Sequence, residues 1–260
     1  ELVIPAGNHV KSGFIADQDH GYVFEVPAST KVELAKPVAL REMGRFNHEA
    51  VAIDPHSGVV YETEDRGDGL FYRFIPKQPG QLAKGGKLQA LKIADQASAD
   101  TRNWDASRES MVVGEPAAVE WIDMHDVDSP KDDLRHQGFQ AGAARFSRGE
   151  GIWYGNDAVF FACTDGGPAK AGQVFKYVPS EHEGTDAEKK SPGTLELFIE
   201  PNDSKLLQAA DNLTVAPWGD LILCEDRSGD VIRLVGVTPR GQLYTFARHH
   251  MHTEFAGAVF

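Results

Sequence analysis

An apolar strand ending in an acidic pair recurs three times along this chain, as VVYETED at 59–65, VFFACTD at 159–165 and LILCED at 221–226. Repetition on this scale restricts the fold more than any local propensity does, because each copy must bury its faces against the next. Every copy continues through a glycine-containing turn into a further β-favourable segment: GLFYRFIP at 69–76, GQVFKYVP at 172–179 and GDVIRLVGVTP at 229–239. Upstream of each pair stands a strand opened by an acid: EAVAID from Glu49, EGIWYG from Glu150 and DNLTVA from Asp211. Glu150 lies 15 residues before Asp165 and Asp211 lies 15 before Asp226; Glu49 lies 16 before Asp65, with the extra residue in the turn at 55–58. A fourth strand follows in each copy: KLQALKIAD at 87–95, TLELFIEP at 194–201 and GQLYTFAR at 241–248.

One unit is therefore four strands, A to D, and complete units fall at about 47–95, 148–201 and 211–248. Four-stranded sheets repeated with tight turns define an all-β fold, the β-propeller; a plain sandwich or barrel gives no reason for a four-strand period. HGYVFEVP at 20–27 and VELAKPVAL at 32–40 read as strands C and D of an earlier blade, and TEFAGAVF at 253–260 as strand A of a later one. The pattern predicts a single propeller segment over 1–260, incomplete at both ends, whose remaining blades belong to a longer chain. An insertion at 96–147 separates the first two complete units, with a short helix predicted in KDDLRHQGFQAGAARFSR; the charged stretch EHEGTDAEKKSP at 181–192 reads as a solvated C–D loop.

The formal net charge is −13, which argues against nucleic acid or an anionic membrane as partner and suits a protein that gathers cations. No apolar run approaches the length that spans a bilayer. There is no GxSxG, no Walker loop and no Cys/His zinc spacing.

In a propeller, strand A is innermost, so residues opening strand A form a ring at the axis. Here these are Glu49, Glu150, Asp211 and, in the same register, Glu254. Crowded carboxylates repel one another, and a bound hard cation such as calcium or iron(III) removes that cost; the alternative is that they only begin turns. The pairs Glu64–Asp65, Thr164–Asp165 and Glu225–Asp226 sit at B–C turns, where Asp bonds backbone amides or contributes to a calcium site. Cys163 and Cys224, in matching strand-B positions with Thr63, read as buried packing residues. Arg148, two residues before Glu150, is a fork for a phosphate or carboxylate, or the ion-pair partner of a neighbouring acid. His48, beside Glu49, is a ligand, a proton carrier or a structural residue.

GRFNHEAVAIDPHSGVVYETEDRGDGLFYRFIP, RGEGIWYGNDAVFFACTDGG, DNLTVAPWGDLILCEDRSG, LVGVTPRGQLYTFAR and EFAGAVF together resemble the PhoX-type alkaline phosphatases of bacteria. The resemblance covers most of the chain and is least clear near 96–115 and 181–192. It implies a six-bladed propeller that hydrolyses small-molecule phosphate monoesters with calcium and iron(III) at the axis, exported to the periplasm or secreted. It also implies Glu49, Glu150 and Asp211 as metal ligands and Arg148 as the arginine that contacts phosphate; His48 is placed with the substrate. The family's Asn-Cys motif, whose thiolate holds iron, has no counterpart here. The segment alone is accordingly expected to be metal-poor and inactive. Two alternatives remain: a lactonase-like calcium propeller, and a binding propeller in which metals are structural pins.

Overall fold

The computed structural model describes residues 3–9, 15–227 and 229–260. Its strands group as the four-strand period predicts. The first blade is β1 (His48–Ile53), β2 (Val60–Glu64), β3 (Gly69–Pro76) and β4 (Gly86–Ile93), antiparallel in that order. After β5 (Pro116–Asp123) and β6 (Arg145–Phe146), the second blade is β7 (Gly149–Gly155), β8 (Ala158–Cys163), β9 (Gln173–Val178) and β10 (Thr194–Ile199). The third is β11 (Ala210–Val215), β12 (Leu221–Glu225), β13 (Ile232–Val237) and β14 (Leu243–His249). The strands β1, β7 and β11 pack side by side, so strand A of each blade is the inner one. This is a β-propeller architecture.

The second strands β2, β8 and β12 bury every residue. A strand covered on both faces reads as a continuous apolar run rather than an alternating one, which is why VVY, VFFAC and LILC carry no period of two. The blades meet through aromatic and aliphatic faces. Between the first two, Phe71 stacks on Phe161 at 4.2 Å between ring centres, with Phe146, Phe175, Tyr61 and Tyr177 around them. Between the second and third, Phe160, Ala162 and Val174 meet Leu213, Leu223 and Val235. Each large side chain so buried contributes about 1.5–3 kcal/mol.

The insertion does more than bulge outward. Its strand β5 pairs with β4 on one side and with β10 on the other, sealing the outer edges of the first two blades into one continuous sheet. Those edges would otherwise present unpaired backbone groups. The predicted helix forms as α1 (Leu134–Gln140); Leu134 buries against the outer face of the first blade with Met124 and Tyr72.

Three expectations change. Residues 20–27 and 32–40 make one isolated bridge, Phe24 to Ala39, and no ladder. Val26, Val32 and Leu34 are exposed there, so no packed face holds the segment as a sheet. Residues 253–260 form no strand either. Finally, 181–192 is mostly exposed, as a C–D loop should be, but it is not wholly solvated. Glu183 and Glu188 are buried and accept hydrogen bonds from Arg73 of β3 at 2.6 and 3.0 Å. Tyr61 Oη, Tyr177 Oη and the Ser180 amide also donate to Glu183. Arg73 lies over Trp121 of β5, 4.3 Å from the ring centre. The charged insertion thus clasps the second blade to the first. No helix among the described residues is long and apolar enough to cross a membrane.

Removing one partner from a buried ion pair leaves the other without compensation, at about 3–5 kcal/mol. Arg73→Ala is expected to cost about 3 kcal/mol in a denaturant titration, toward the low end because Tyr61, Tyr177 and Ser180 still bond Glu183. A cost below about 0.5 kcal/mol, the level of an exposed pair, would show that the clasp contributes nothing.

Candidate functional site

Each inner strand carries the same irregularity at its acidic residue. In the first blade His48 pairs with Glu64 and Val51 with Glu62, so three steps on β1 oppose two on β2. Gly149 and Ile152 oppose Cys163 and Phe161 in the same way, and Ala210 and Leu213 oppose Glu225 and Leu223. A one-residue bulge therefore sits at Glu49–Ala50, at Glu150–Gly151 and at Asp211–Asn212. Bulges bend the strand and re-aim the side chain they contain.

The register also corrects the alignment of the acidic pairs. The amides of Asp65, Thr164 and Asp226 donate to the carbonyls of Asn47, Arg148 and Ala209 respectively, so these three residues are equivalent. Asp165 is shifted one place onward, and Cys163 matches Glu64 and Glu225 rather than Cys224. The side chain at this position reaches toward strand A of the next blade: Asp65 to Arg148, and the Thr164 hydroxyl to the Ala210 carbonyl at 3.1 Å.

Glu49, Asp65 and Glu150 offer carboxylate oxygens that all lie within 4.8 Å of one another. Asp65 was legible in the sequence as a member of an acidic pair but not as part of this group; it enters because the B–C turn leans across the blade boundary. Arg148, in a left-handed conformation with φ 52°, spans the group. Its Nε and Nη2 donate to the two Asp65 oxygens at 2.8 and 3.3 Å, and Nη2 donates to Glu150 Oε1 at 2.6 Å. Its side chain stays 37% exposed.

Asp211 adjoins the group, and its charge is among those that act on Glu150. Burial, followed by the charges of Asp65, Asp211 and Glu49, pushes the Glu150 carboxyl up to about 9, against the lowering effect of Arg148. Burial also raises Asp211, with Asp226 adding to it. Glu254 is not in the inner group. It is exposed, lies on no strand, and hydrogen-bonds Asp226, whose charge raises it. His48 is turned away from the carboxylates: its ring is buried against Phe46 at 3.6 Å, with Nδ1 3.2 Å from Glu62 Oε2 and Nε2 at 3.2 Å from the Gly44 carbonyl. His48 therefore lies outside the group of Glu49, Asp65 and Glu150, in the structural role that the sequence also allowed.

The glycines flanking Glu150 make the convergence possible. A Cβ on Gly151 would lie 2.6 Å from Asn212 Cα and 2.8 Å from the Asp211 carbonyl oxygen, and one on Gly149 3.3 Å from Thr63 Cβ. At 151 the inner strands β7 and β11 approach so closely that only glycine fits beside the acid, while 149 is tight against β2.

The family described as alkaline phosphatase PhoX matches residues 9–258. The chain belongs to the PhoX family. Among solved structures it is similar to Pseudomonas fluorescens PhoX in complex with vanadate, a transition state analogue, with a TM-score of 0.62 and 18% sequence identity. The match covers 92% of this chain and 50% of that one, so this chain spans half the length of that PhoX structure. A comparison with curated proteins gives no significant match. The repeats that carry the resemblance to PhoX are thus the ones that build the acidic group.

Gly151→Ala sets a methyl against backbone and is expected to destabilise the protein by about 1–3 kcal/mol, as overpacking does. A denaturant midpoint within error of the parent protein would contradict the close approach of β7 and β11.

Proposed function

We propose that the protein is a metal-dependent phosphate-monoester hydrolase in which Glu49, Asp65 and Glu150 hold a hard cation and Arg148 binds the phosphoryl group. The observation that carries this reading is the convergence of three carboxylates from two blades around one guanidinium in a PhoX-family chain. Asp211, whose charge acts on Glu150, extends the ligand set, and Glu254 with Asp226 continues the acidic arc.

The residues fit the ions that the resemblance implies to different degrees. An all-oxygen set suits calcium and accepts iron(III). Glu150 is a buried carboxyl whose acidic neighbours oppose its ionisation, a cost that a cation removes. The cysteines do not fit as ligands. Burial pushes the Cys163 thiol far up and the Cys224 thiol up to about 11, so neither is poised as a thiolate. Calcium is the ion that these residues favour.

A cation held here supplies charge neutralisation on phosphoryl oxygens and orients the ester. Arg148 commits Nε and Nη2 to Asp65 and Glu150 and keeps its side chain 37% exposed, which leaves Nη1 as the donor for substrate. That donor takes a substrate oxygen, and the paired edge fixes the guanidinium plane so that the contact is made without reorganisation. Vanadate, the transition-state analogue in the Pseudomonas complex, is the kind of oxyanion such a donor binds. Export to the periplasm or medium belongs to the same reading, as does low turnover by these 260 residues alone.

In a full-length form, turnover of p-nitrophenyl phosphate is expected to disappear with a chelator and to return with calcium. Arg148→Ala should lower it about 10²-fold or more, with metal content and melting temperature little changed, and Arg148→Lys should recover only part. Loss of metal or stability in step with activity would make Arg148 a charge-balancing residue. Lactone opening without phosphatase activity would overturn the assignment.

A further inference from the structure

A bulge leaves an amide of the inner strand without a ladder partner, and buried amides are costly unless bonded elsewhere. In the first blade the residue opposite the bulge is Thr63, which is buried on β2. Its Oγ1 accepts a hydrogen bond from the Ala50 amide at 3.1 Å and donates to the Glu150 carbonyl at 2.5 Å. One hydroxyl therefore ties the backbone next to Glu49 to the backbone of Glu150, across the boundary between two blades. The equivalent positions in the other blades are Ala162 and Cys224, which have no hydroxyl. Between the second and third blades the Thr164 hydroxyl reaches the Ala210 carbonyl instead, and among the described residues it accepts from no inner-strand amide.

The importance of the Thr63 latch follows from distance. Calcium–oxygen bonds run about 2.3–2.6 Å, so two oxygens on one ion stand at most about 5 Å apart. The three carboxylates offer oxygens that all lie within 4.8 Å of one another. A shared ion is therefore available only while β1 and β7 keep this spacing, and a shift between them that carried one carboxylate past that reach would take it off the ion.

We propose that Thr63 is a positioning residue: its hydroxyl sets the spacing of the Glu49 and Glu150 strands and thereby the cation affinity of the site, while touching neither cation nor substrate. This rests on the reading that these carboxylates hold a cation. The fold accepts alanine at this position, since Ala162 occupies it in the second blade, so Thr63→Ala is a fair test and Thr63→Val an isosteric second. Thr101→Val is the control: the Thr101 hydroxyl is buried and donates to the Arg145 carbonyl at 2.8 Å, outside the carboxylate group.

The experiment is calorimetric titration of a full-length form with calcium chloride, with a melting curve for every variant. Thr63→Ala and Thr63→Val should weaken calcium about tenfold or more, Thr63→Ser should stay within about threefold of the parent, and Thr101→Val should lose comparable stability yet bind within about threefold, as expected of a geometric rather than a global effect. Parent-like affinity in a folded Thr63→Ala would overturn the latch while leaving the cation reading intact. Equal weakening by Thr101→Val would also overturn it. Absence of calcium binding in the parent would overturn the cation reading and the latch with it.

Discussion

The close side-by-side packing of three inner strands, each bulged at its acidic residue, is the constraint on which the rest of this structure depends. Bulging re-aims Glu49, Glu150 and Asp211, and glycine at 149 and 151 lets the neighbouring backbones come within van der Waals contact of β7. Neither device alone would gather the carboxylates. A bulge on a strand held a side chain's width farther away would point its acid at solvent. Close approach without the bulge would leave the acid in the ordinary alternation of the strand.

Gathering like charges opposes folding, and the structure offsets that cost in two ways. Locally, burial and the neighbouring acids push the Glu150 carboxyl toward its neutral form, which relieves part of the repulsion. At a distance, the blade boundary that carries the acids is held shut by interactions having nothing to do with them: the stacked Phe71 and Phe161, the bridging strand β5, and the buried clasp of Arg73 with Glu183 and Glu188. Thr63 connects the two levels, because its single hydroxyl belongs both to the packing between blades and to the backbone beside the ligands.

Much of the architecture was legible in the sequence because a four-strand unit leaves a period that survives divergence of the individual residues. The acids opening strand A were visible for the same reason. What escaped was whatever depends on register. A one-residue bulge changes no composition, so nothing in EAVAID or EGIWYG announces it. The threonine in ACTD looked like half of an acidic pair and proved to stand where Asp65 and Asp226 stand. Tertiary partners decided the remainder: EHEGTDAEKKSP looks like solvated loop until Arg73 is seen beneath it, and His48 looks like a ligand until its ring is found against Phe46 and Glu62. Residues 20–40 and 253–260 have strand-like patterns without a sheet to join, and pattern alone does not supply a partner.

The most direct measurement is a crystal structure of a full-length form grown with calcium, with the anomalous signal of the ion recorded. The account predicts a peak bonded to oxygens of Glu49, Asp65 and Glu150, at about 2.3–2.6 Å from each, with Arg148 at its edge. Unoccupied carboxylates still paired to Arg148 at saturating calcium, or an ion bound on another face of the blades, would contradict it.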